Sequence, residues 1–482
     1  MIKEIIDSKK IVKSNNEESQ LNKNITTKFL LSFTLPTILS MTFISIAGIV
    51  DNIFATRAIN VEALSVISIV MPYFTISIAV SAMLSMGGSA LIAKKKGIGL
   101  KQEARENFSL LTIFALGVSV VIMLLSYLLI NQLLQLLGTN ESIFDLARLY
   151  LEPLIWFMPF IVLGSFFTQF IIADGRPGLG MIASMSGILL GTALNAIFLF
   201  IFDMGIYSLA LATGIGYSLP AIVGLIYFTF NRKKGTIYFV RPQWDIYVIG
   251  RSSFNGISEM ITLSATAVTT ITVNNILMRL VGFEGVAAAG IVLGLQWVFM
   301  SMFVGYSVGI APVFAYNYGK LLKNEKENEI RLQQLFKKSL IVIMILSVIA
   351  VLISQIFANL LVRIYVEPGY IKSYLPGYGW VISNIDTYAI TVWWLRIASS
   401  GFIFMSFNAF ATAMFTAFNN GKISGFMSLM RAFVFTLSLI ILLPMAFGID
   451  GVWIALPLAE LLSFGLTVFY LWKMKNKYHY FK

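Results

Sequence analysis

Long stretches without charged residues constrain this chain more than any other feature. From Leu30 to Val50 there are 21 consecutive residues without a charge, and similar stretches recur to the end of the chain. About 20 apolar residues in a helix suffice to cross the hydrocarbon core of a bilayer. The composition agrees, since 58% of the 482 residues are hydrophobic, 12% are charged and the mean hydropathy is +0.83. We therefore expect an all-α integral membrane protein that crosses the bilayer many times.

Twelve apolar stretches, bounded by Pro, Gly and charged residues, predict twelve transmembrane helices, here called spans 1 to 12. They cover residues 29–55, 61–93, 107–132, 147–173, 178–203, 206–230, 252–280, 284–317, 336–362, 392–417, 423–446 and 452–473.

The basic residues predict the orientation. The net charge is +12, which in a soluble protein would suggest nucleic acid as a partner. Here 28 basic residues fall in the segments on one side of the predicted spans, 6 fall in the segments on the other side, and Arg431 lies inside a span. Cytoplasmic loops are enriched in Lys and Arg, so this distribution predicts that both termini are cytoplasmic and that no nucleic acid is bound. Residues 1–28 are polar, lack the apolar segment of a signal peptide and are expected to form a disordered cytoplasmic tail.

The two halves of the chain repeat. A shift of 222 residues pairs Asn52 with Asn274 and Gly97 with Gly319, and a shift of 243 later pairs Gly205 with Gly448. The second half thus carries 21 extra residues, which fall in the outer loop around 366–391. Each half has six spans and begins on the same side, so a pseudo-two-fold axis along the membrane normal should relate two lobes with a cavity between them. The predicted units are a tail (1–28), an N-lobe (29–230), a cytoplasmic linker (231–250) and a C-lobe (251–482), which together form a transporter architecture.

Asp51 is the first candidate for function, because it places a carboxylate at the outer end of span 1. Burying a charged carboxylate in hydrocarbon costs several kcal/mol by roughly the insertion scales, so an acid at such a position usually has a function. The alternative is that Asp51 lies at the water interface. The repeat favours function, because the position matching Asp51 is Val273, whereas the neighbouring Asn52 is matched by Asn274.

Three further ionisable residues lie inside spans. Arg431 and Glu460 have opposite charges on consecutive spans, which predicts a structural ion pair. Glu259 lies near the cytoplasmic start of span 7, where it either is solvated or binds a proton or cation. The chain has no Cys and its single His is His479, so neither a disulfide nor a His/Cys metal site is expected, and no metal or organic cofactor is predicted. A membrane enzyme has no supporting catalytic constellation.

Taken together, these stretches resemble the multidrug and toxic compound extrusion (MATE) family of the multidrug/oligosaccharidyl-lipid/polysaccharide flippase superfamily. The resemblance implies a secondary antiporter, in which H⁺ or Na⁺ drives export of organic cations or amphipathic drugs by alternating access. The motifs that carry it are VDNIF at 50–54, GGSA at 87–90, ADG at 173–175, GIYSLALAT at 205–213, NGISE at 255–259, GIAPVFAYNYG at 309–319 and GIDGVWIALPLAE at 448–460.

The resemblance also implies roles for single residues. The acid of the first-span motif binds the coupling ion in this family, and here that residue is Asp51. Family members often place Asn and Asp, four residues apart, on span 5; here these positions are Gly191 and Asn195. Acids found in some members on spans 7 and 10 correspond to Leu263 and to the vicinity of Asn408. This thinner set of acids leaves the identity and number of coupling ions open.

Other functions stay open at this point. The main alternative is a flippase-like exporter of a lipid-linked or amphipathic metabolite, for which a basic cavity would argue. A channel is disfavoured by the lobe repeat with a single asymmetric acid. The expected partners are the lipid bilayer and a small-molecule substrate, and a monomer in a bacterial plasma membrane is predicted.

Overall fold

The computed structural model describes residues 20–481 except 59–60, 138, 140–142, 234–236, 282, 324, 367–371, 376–378 and 383–386. For some of the described residues, including 51–58 and 61–65, the backbone alone is described.

Helices dominate the described residues. The α-helices are α1 (Thr27–Ala58), α2 (Val61–Ile98), α3 (Lys101–Leu128), α4 (Ile130–Leu137), α5 (Phe144–Trp156), α6 (Met158–Ala173), α7 (Pro177–Phe200), α8 (Gly205–Phe230), α9 (Ile246–Asn255), α10 (Ile257–Leu280), α11 (Phe283–Lys323), α12 (Glu325–Ile356), α13 (Ala358–Arg363), α14 (Thr387–Ser399), α15 (Phe402–Ala417), α16 (Gly421–Leu429), α17 (Thr436–Phe447) and α18 (Ile449–Tyr478). Short 3₁₀ turns cover Gln20–Asn22 and Asn231–Lys233, and a π-helical turn covers Met430–Phe435.

The predicted twelve-span, two-lobed architecture is confirmed. Within the described ranges, ten helical stretches are long and apolar enough to cross a membrane, and two bent helix pairs bring the number to twelve when each pair counts as one span. The bent pairs are α5 with α6, at 51°, and α14 with α15, at 47°. They correspond to predicted spans 4 and 10, and the 243-residue shift superimposes the two bends. The repeat therefore extends to the positions at which helices break.

The boundary before the second half differs from the prediction. Residues 231–250 were expected to be a linker, but helix α9 begins at Ile246 and is separated from α10 by Gly256. The Asp245 carboxylate caps α9 by accepting hydrogen bonds from the backbone N–H groups of Tyr247 (2.9 Å) and Val248 (3.4 Å). A carboxylate satisfies the first N–H groups of a helix and suits its positive end, which explains the early start.

The outer segment predicted at 366–391 holds the β-strands found among the described residues. Lys372–Leu375 (β1) and Gly379–Ile382 (β2) form an antiparallel ribbon, in which Lys372 lies opposite Ile382. The first half has no corresponding inserted segment, so the ribbon is an addition to the repeat.

The start of the chain also differs from the prediction of a disordered tail through residue 28. We define the terminal face as the end of the bundle where α1 begins, α2 and α11 end, and α18 ends. Leu21 (0% exposed) and Ile25 (5% exposed) are buried there among side chains of the second half. Lys320 Nζ donates to Asn22 Oδ1 at 2.6 Å, and Lys338 donates to the Ile25 carbonyl. Two buried apolar side chains and these hydrogen bonds offset the entropy lost by ordering the segment.

Candidate transport site

Asp51 and Asn52 lie on α1, and their side chains are outside the described residues. Helix α1 packs against α7, which carries Asn195 with 2% of its surface exposed. Asp51 and Asn195 both lie toward the ends of their helices that are remote from the terminal face. The structure thus places two of the predicted site residues, Asp51 and Asn195, on neighbouring helices.

Gly191 lies at a close helix crossing, at a position where the family resembled often has Asn. A Cβ atom there would be 3.3 Å from the Ala212 carbonyl oxygen, and one at Gly187 would be 2.5 Å from the Gly216 carbonyl oxygen. Small residues permit such close packing between membrane helices. The crossing of α7 and α8 therefore explains why this side of α7 carries glycine and leaves Asn195 as its buried amide.

The two halves meet in backbone contact at the terminal face. A Cβ atom on Gly97 (α2) would lie 2.1 Å from the Tyr316 carbonyl oxygen, and one on Gly319 (α11) would lie 2.2 Å from the Lys94 carbonyl oxygen. These distances are far below any real Cβ contact, so only glycine fits at either position. The repeat-related pair Gly97 and Gly319 thus forms a symmetric crossing.

A second crossing continues this contact between the halves. A Cβ atom on Gly87 would lie 1.9 Å from the Ser252 carbonyl oxygen, and one on Gly256 would lie 1.9 Å from the Met83 carbonyl oxygen. The Lys94 ammonium lies 5.1 Å from the centre of the Tyr318 ring, a cation–π contact between the halves. We call these contacts of α2 with α9, α10 and α11 the seal, and they close the space between the halves at the terminal face.

The predicted pair Arg431 and Glu460 is in contact. Arg431 Nη2 lies 2.8 Å from Glu460 Oε1, and Arg431 Nε donates to both carboxylate oxygens at 2.9 and 3.1 Å. Asn408 Nδ2 donates to Glu460 Oε2 at 2.8 Å, and Thr467 Oγ1 donates to Asn408 Oδ1 at 2.8 Å. The Thr467 bond occupies the amide oxygen of Asn408, so the amide N–H₂ is directed at the carboxylate. The network fixes the guanidinium through three successive side chains.

Arg431 lies within the π-helical turn Met430–Phe435, which interrupts the eleventh span between α16 and α17. The Arg431 carbonyl accepts two hydrogen bonds from Thr436, one from its backbone N–H and one from its Oγ1 at 2.7 Å. Single π-helical turns inside helices are frequent at functional sites. The hydropathy of this span did not predict the interruption.

Glu259 lies in the first turn of α10, which packs against α16 and the π-helical turn. Residues before and after Glu259 form side-chain hydrogen bonds between α10 and other spans. Ser258 Oγ and Thr416 Oγ1 are 3.1 Å apart, and Thr262 Oγ1 donates to Ser428 Oγ at 3.3 Å. Helix α10 is thus hydrogen-bonded to α15 and α16 on either side of Glu259.

A buried ion pair in the first half was missed from the sequence. Lys96 Nζ lies 3.0 Å from Asp174 Oδ1, with side-chain exposures of 3% and 0%. Asp174 also accepts hydrogen bonds from the Tyr227 hydroxyl (2.8 Å) and the Ile237 backbone N–H (3.1 Å). Lys96 was counted among loop charges because it stands in the run Lys94–Lys96. Only the packing of α2 against α6 distinguishes it from its half-buried neighbours. The carboxylate joins α2, the end of α6, α8 and the segment after α8.

The fold and these contacts define a two-lobed transporter of twelve spans, closed between its halves at one face. The family described as MatE matches residues 36–197. The multidrug export protein MepA of Staphylococcus haemolyticus is 23% identical over 454 residues, which cover 93% of this chain and 94% of MepA. The solved structures that resemble it include an outward-facing multidrug resistance MATE transporter (TM-score 0.84, 18% identity, covering 95% of this chain and 98% of that one). A variant of the MATE transporter VcmN of Vibrio cholerae is equally covered, with a TM-score of 0.82 and 18% identity.

The chain resembles the MATE family in its motifs, in the MatE match over residues 36–197 and in its fold, as its sequence led us to expect. It is a multi-pass membrane transporter rather than an enzyme.

Proposed function

We propose that this chain is a multidrug exporter of a bacterial plasma membrane, which uses an inward H⁺ or Na⁺ gradient to expel organic cations and amphipathic compounds. The observation that carries the proposal is its match to a multidrug export protein over more than nine-tenths of both chains, 93% and 94%. A match of this extent includes both lobes, and it therefore supports the proposal for the whole transporter.

Asp51 is the proposed coupling residue. A coupling group must change its charge, and each charge state must favour a different arrangement of the lobes. A carboxylate within a membrane helix does this when it binds a proton or Na⁺, because neutralisation removes the cost of burying its charge. Asn195, buried on the adjacent α7, and Asn52, next to Asp51, offer amide oxygens that suit Na⁺ and amide N–H groups that hydrogen-bond a carboxylate.

The seal gives the direction of access in this arrangement. The basic residues predict that the terminal face is cytoplasmic, so a closed seal at this face leaves the space between the lobes accessible only from outside. The proposed cycle then requires Gly97 and Gly319 to separate when the transporter opens inward. Protonation or Na⁺ binding at Asp51 would release the substrate outward before that separation.

The flippase-like alternative needs cations that can bind a lipid phosphate. The buried Lys96 and the mostly buried Arg431 are each paired with a carboxylate, Asp174 and Glu460, which leaves neither as a ready phosphate ligand. No observation specifically favours this alternative, so we retain it as an outcome of the following test.

The test is gradient-driven efflux of a fluorescent organic cation from proteoliposomes, with Na⁺ and pH gradients imposed separately. Asp51→Asn keeps the shape of the side chain, but the amide has no charge that a proton or Na⁺ could neutralise. Efflux should therefore fall to the level of empty liposomes. Glu103→Gln is the matched control, because this acid lies at the terminal face with its side chain 51% exposed. Full efflux by Asp51→Asn contradicts the proposal, and loss in Glu259→Gln alone moves coupling to the C-lobe. Transport of a lipid-linked anion in place of the cation supports the flippase.

A further inference from the structure

Residues 21–25, which precede α1, lie across the second half at the terminal face, and we call them the strap. The side chains of Leu21 and Ile25 are buried there, in one apolar cluster with Leu332 and Phe336 of α12. The strap belongs to the first half and α12 to the second, so these side chains leave water only while the halves are together at this face. The strap therefore joins the halves at a place outside the seal.

Hydrogen bonds from the second half hold the strap along its whole length. Three basic side chains of α11 and α12 donate to three oxygen atoms of the strap: Lys320 to Asn22 Oδ1 at 2.6 Å, Arg331 to the Lys23 carbonyl, and Lys338 to the Ile25 carbonyl. Arg331 is itself oriented by the buried Asn317, whose Oδ1 accepts a hydrogen bond from Arg331 Nε at 2.7 Å. Hydrogen bonds with an ionised donor are stronger than neutral ones, so the strap is bound in one defined register.

The internal repeat shows that a lobe does not need this contact in order to fold. The 222-residue shift pairs Leu21 with Gln243 and Ile25 with Tyr247, in the segment that precedes the first span of the second half. Gln243 and Tyr247 are both exposed. The second half thus begins without burying its leading segment, and the strap is an addition of the first half. Between two lobes that move apart, such an attachment resists their separation.

We propose that the strap locks the terminal face, and that it must detach from α11 and α12 before the halves can separate there. The strap moves with the first half, because it leads directly into α1, where Thr26 Oγ1 accepts a hydrogen bond from the Phe29 backbone N–H at 3.1 Å. This inference rests on the proposed function, since alternating access requires the separation. It deepens that function by naming the contact whose release sets how often the transporter opens at this face.

Spin labels on Gln102→Cys and Lys422→Cys measure the opening in the purified full-length protein. Both residues are exposed at the terminal face, on opposite halves and outside the strap and the seal. Leu21→Asn combined with Ile25→Asn places amides at two buried positions of the strap, so the population with a long distance between the labels should rise about tenfold or more. Lys23→Gln is the control, because its side chain is exposed and its carbonyl still accepts the hydrogen bond.

Lys338→Gln tests the strap from the second half and leaves the sequence of the strap intact. It removes the charged donor to the Ile25 carbonyl and should also raise the long-distance population. The adjacent Lys337 is exposed, which makes Lys337→Gln the matched control. A contact that is only structural would lower the Tm and leave the distances unchanged. Unchanged distances in both the strap variant and Lys338→Gln, or a rise that the controls share, overturn the inference.

A cleavable tether distinguishes a strap that detaches from one that stays on the second half. Asn22→Cys and Lys320→Cys, whose natural side chains are in contact, can be joined by a disulfide-containing bis-maleimide in this chain without Cys. Efflux from proteoliposomes should stop with the tether in place and return on reduction. Efflux that continues with the tether in place overturns the inference. If the unaltered protein exports no cation but the strap variants still raise the long-distance population, the proposed function fails and the role of the strap stands.

Discussion

Each half of this transporter pairs a buried basic side chain with a buried acidic one. In the first half Lys96 contacts Asp174, and in the second half Arg431 contacts Glu460. The two pairs are not related by the repeat, so each half acquired its own solution. Each pair lies where several helices meet, and its removal should loosen those helices.

Lys96→Met should strongly destabilise the protein. The substitution leaves the Asp174 carboxylate buried without its cation, and breaking a buried pair from one side costs about 3–5 kcal/mol. The remaining hydrogen bonds from Tyr227 and Ile237 keep the cost toward the lower end. Thermal unfolding in detergent measures the effect as a lower Tm.

The adjacent Lys95 provides the matched control for this prediction. Its ammonium lies 2.9 Å from the Glu103 carboxylate, but that pair is exposed to solvent, with side-chain exposures of 20% and 51%. Lys95→Met should therefore cost no more than about 1 kcal/mol. Equal losses of Tm in the two variants would show that the buried pair contributes nothing specific.

Helix crossings carry the contact between the halves at the scale of single elements. Helix α2 meets α11 at Gly97 and Gly319, and meets α9 and α10 at Gly87 and Gly256. The proposed alternating-access cycle requires these contacts to break, so their strength would set the balance between the two arrangements.

Gly97→Ala should weaken the seal. The added Cβ atom would lie 2.1 Å from the Tyr316 carbonyl oxygen, a backbone atom that cannot rotate away, so α2 and α11 must separate. Spin labels on Lys101→Cys and Lys323→Cys, both exposed at the terminal face, should report longer and more broadly distributed distances. Gly117→Ala is the control, because a Cβ atom there meets nothing within 4 Å and should leave the distances unchanged. Unchanged distances in Gly97→Ala would mean that the crossing does not limit the approach of the halves.

Much of this arrangement of elements could be predicted from the sequence, for a definite reason. A membrane helix must form its backbone hydrogen bonds internally and present apolar side chains to lipid. The local amino-acid composition therefore suffices to predict it. Charge pairing is different, because Lys96 and Asp174 are 78 residues apart in sequence and meet only through helix packing. Gly97 and Gly319 of the seal were noticed as repeat partners, but their contact across the halves depends on a tertiary crossing. The polar side chain of Asp51 itself lies outside the described residues, and its role stays a prediction.

The molecule as a whole is closed at the terminal face, with residues 21–26 of the first half lying against the second. The first half therefore holds the second through its leading segment as well as through the seal. In the proposed cycle, opening at the terminal face must detach that segment or carry it along, in addition to separating α2 from α11.

The orientation of the whole molecule can be tested with single cysteines, since the chain has none of its own. Lys96 is unsuitable, because its side chain is buried against Asp174. Lys101 and Lys323 are exposed at the terminal face, and Asn131 is exposed on α4, beyond the end of α3 at the opposite face.

The basic residues predict that the terminal face is cytoplasmic. In intact cells a membrane-impermeant maleimide should therefore label Asn131→Cys and leave Lys101→Cys and Lys323→Cys unmodified, while all three should react after permeabilisation. The two lysine positions lie on different halves, so they test the even number of spans between them as well as the orientation. Labelling of one lysine position but not the other in intact cells would require an odd number of crossings between α3 and α11 and would refute the parallel repeat. Labelling of both, with Asn131→Cys protected, would keep the fold and reverse its orientation, and the closed seal would then belong to an inward-open transporter.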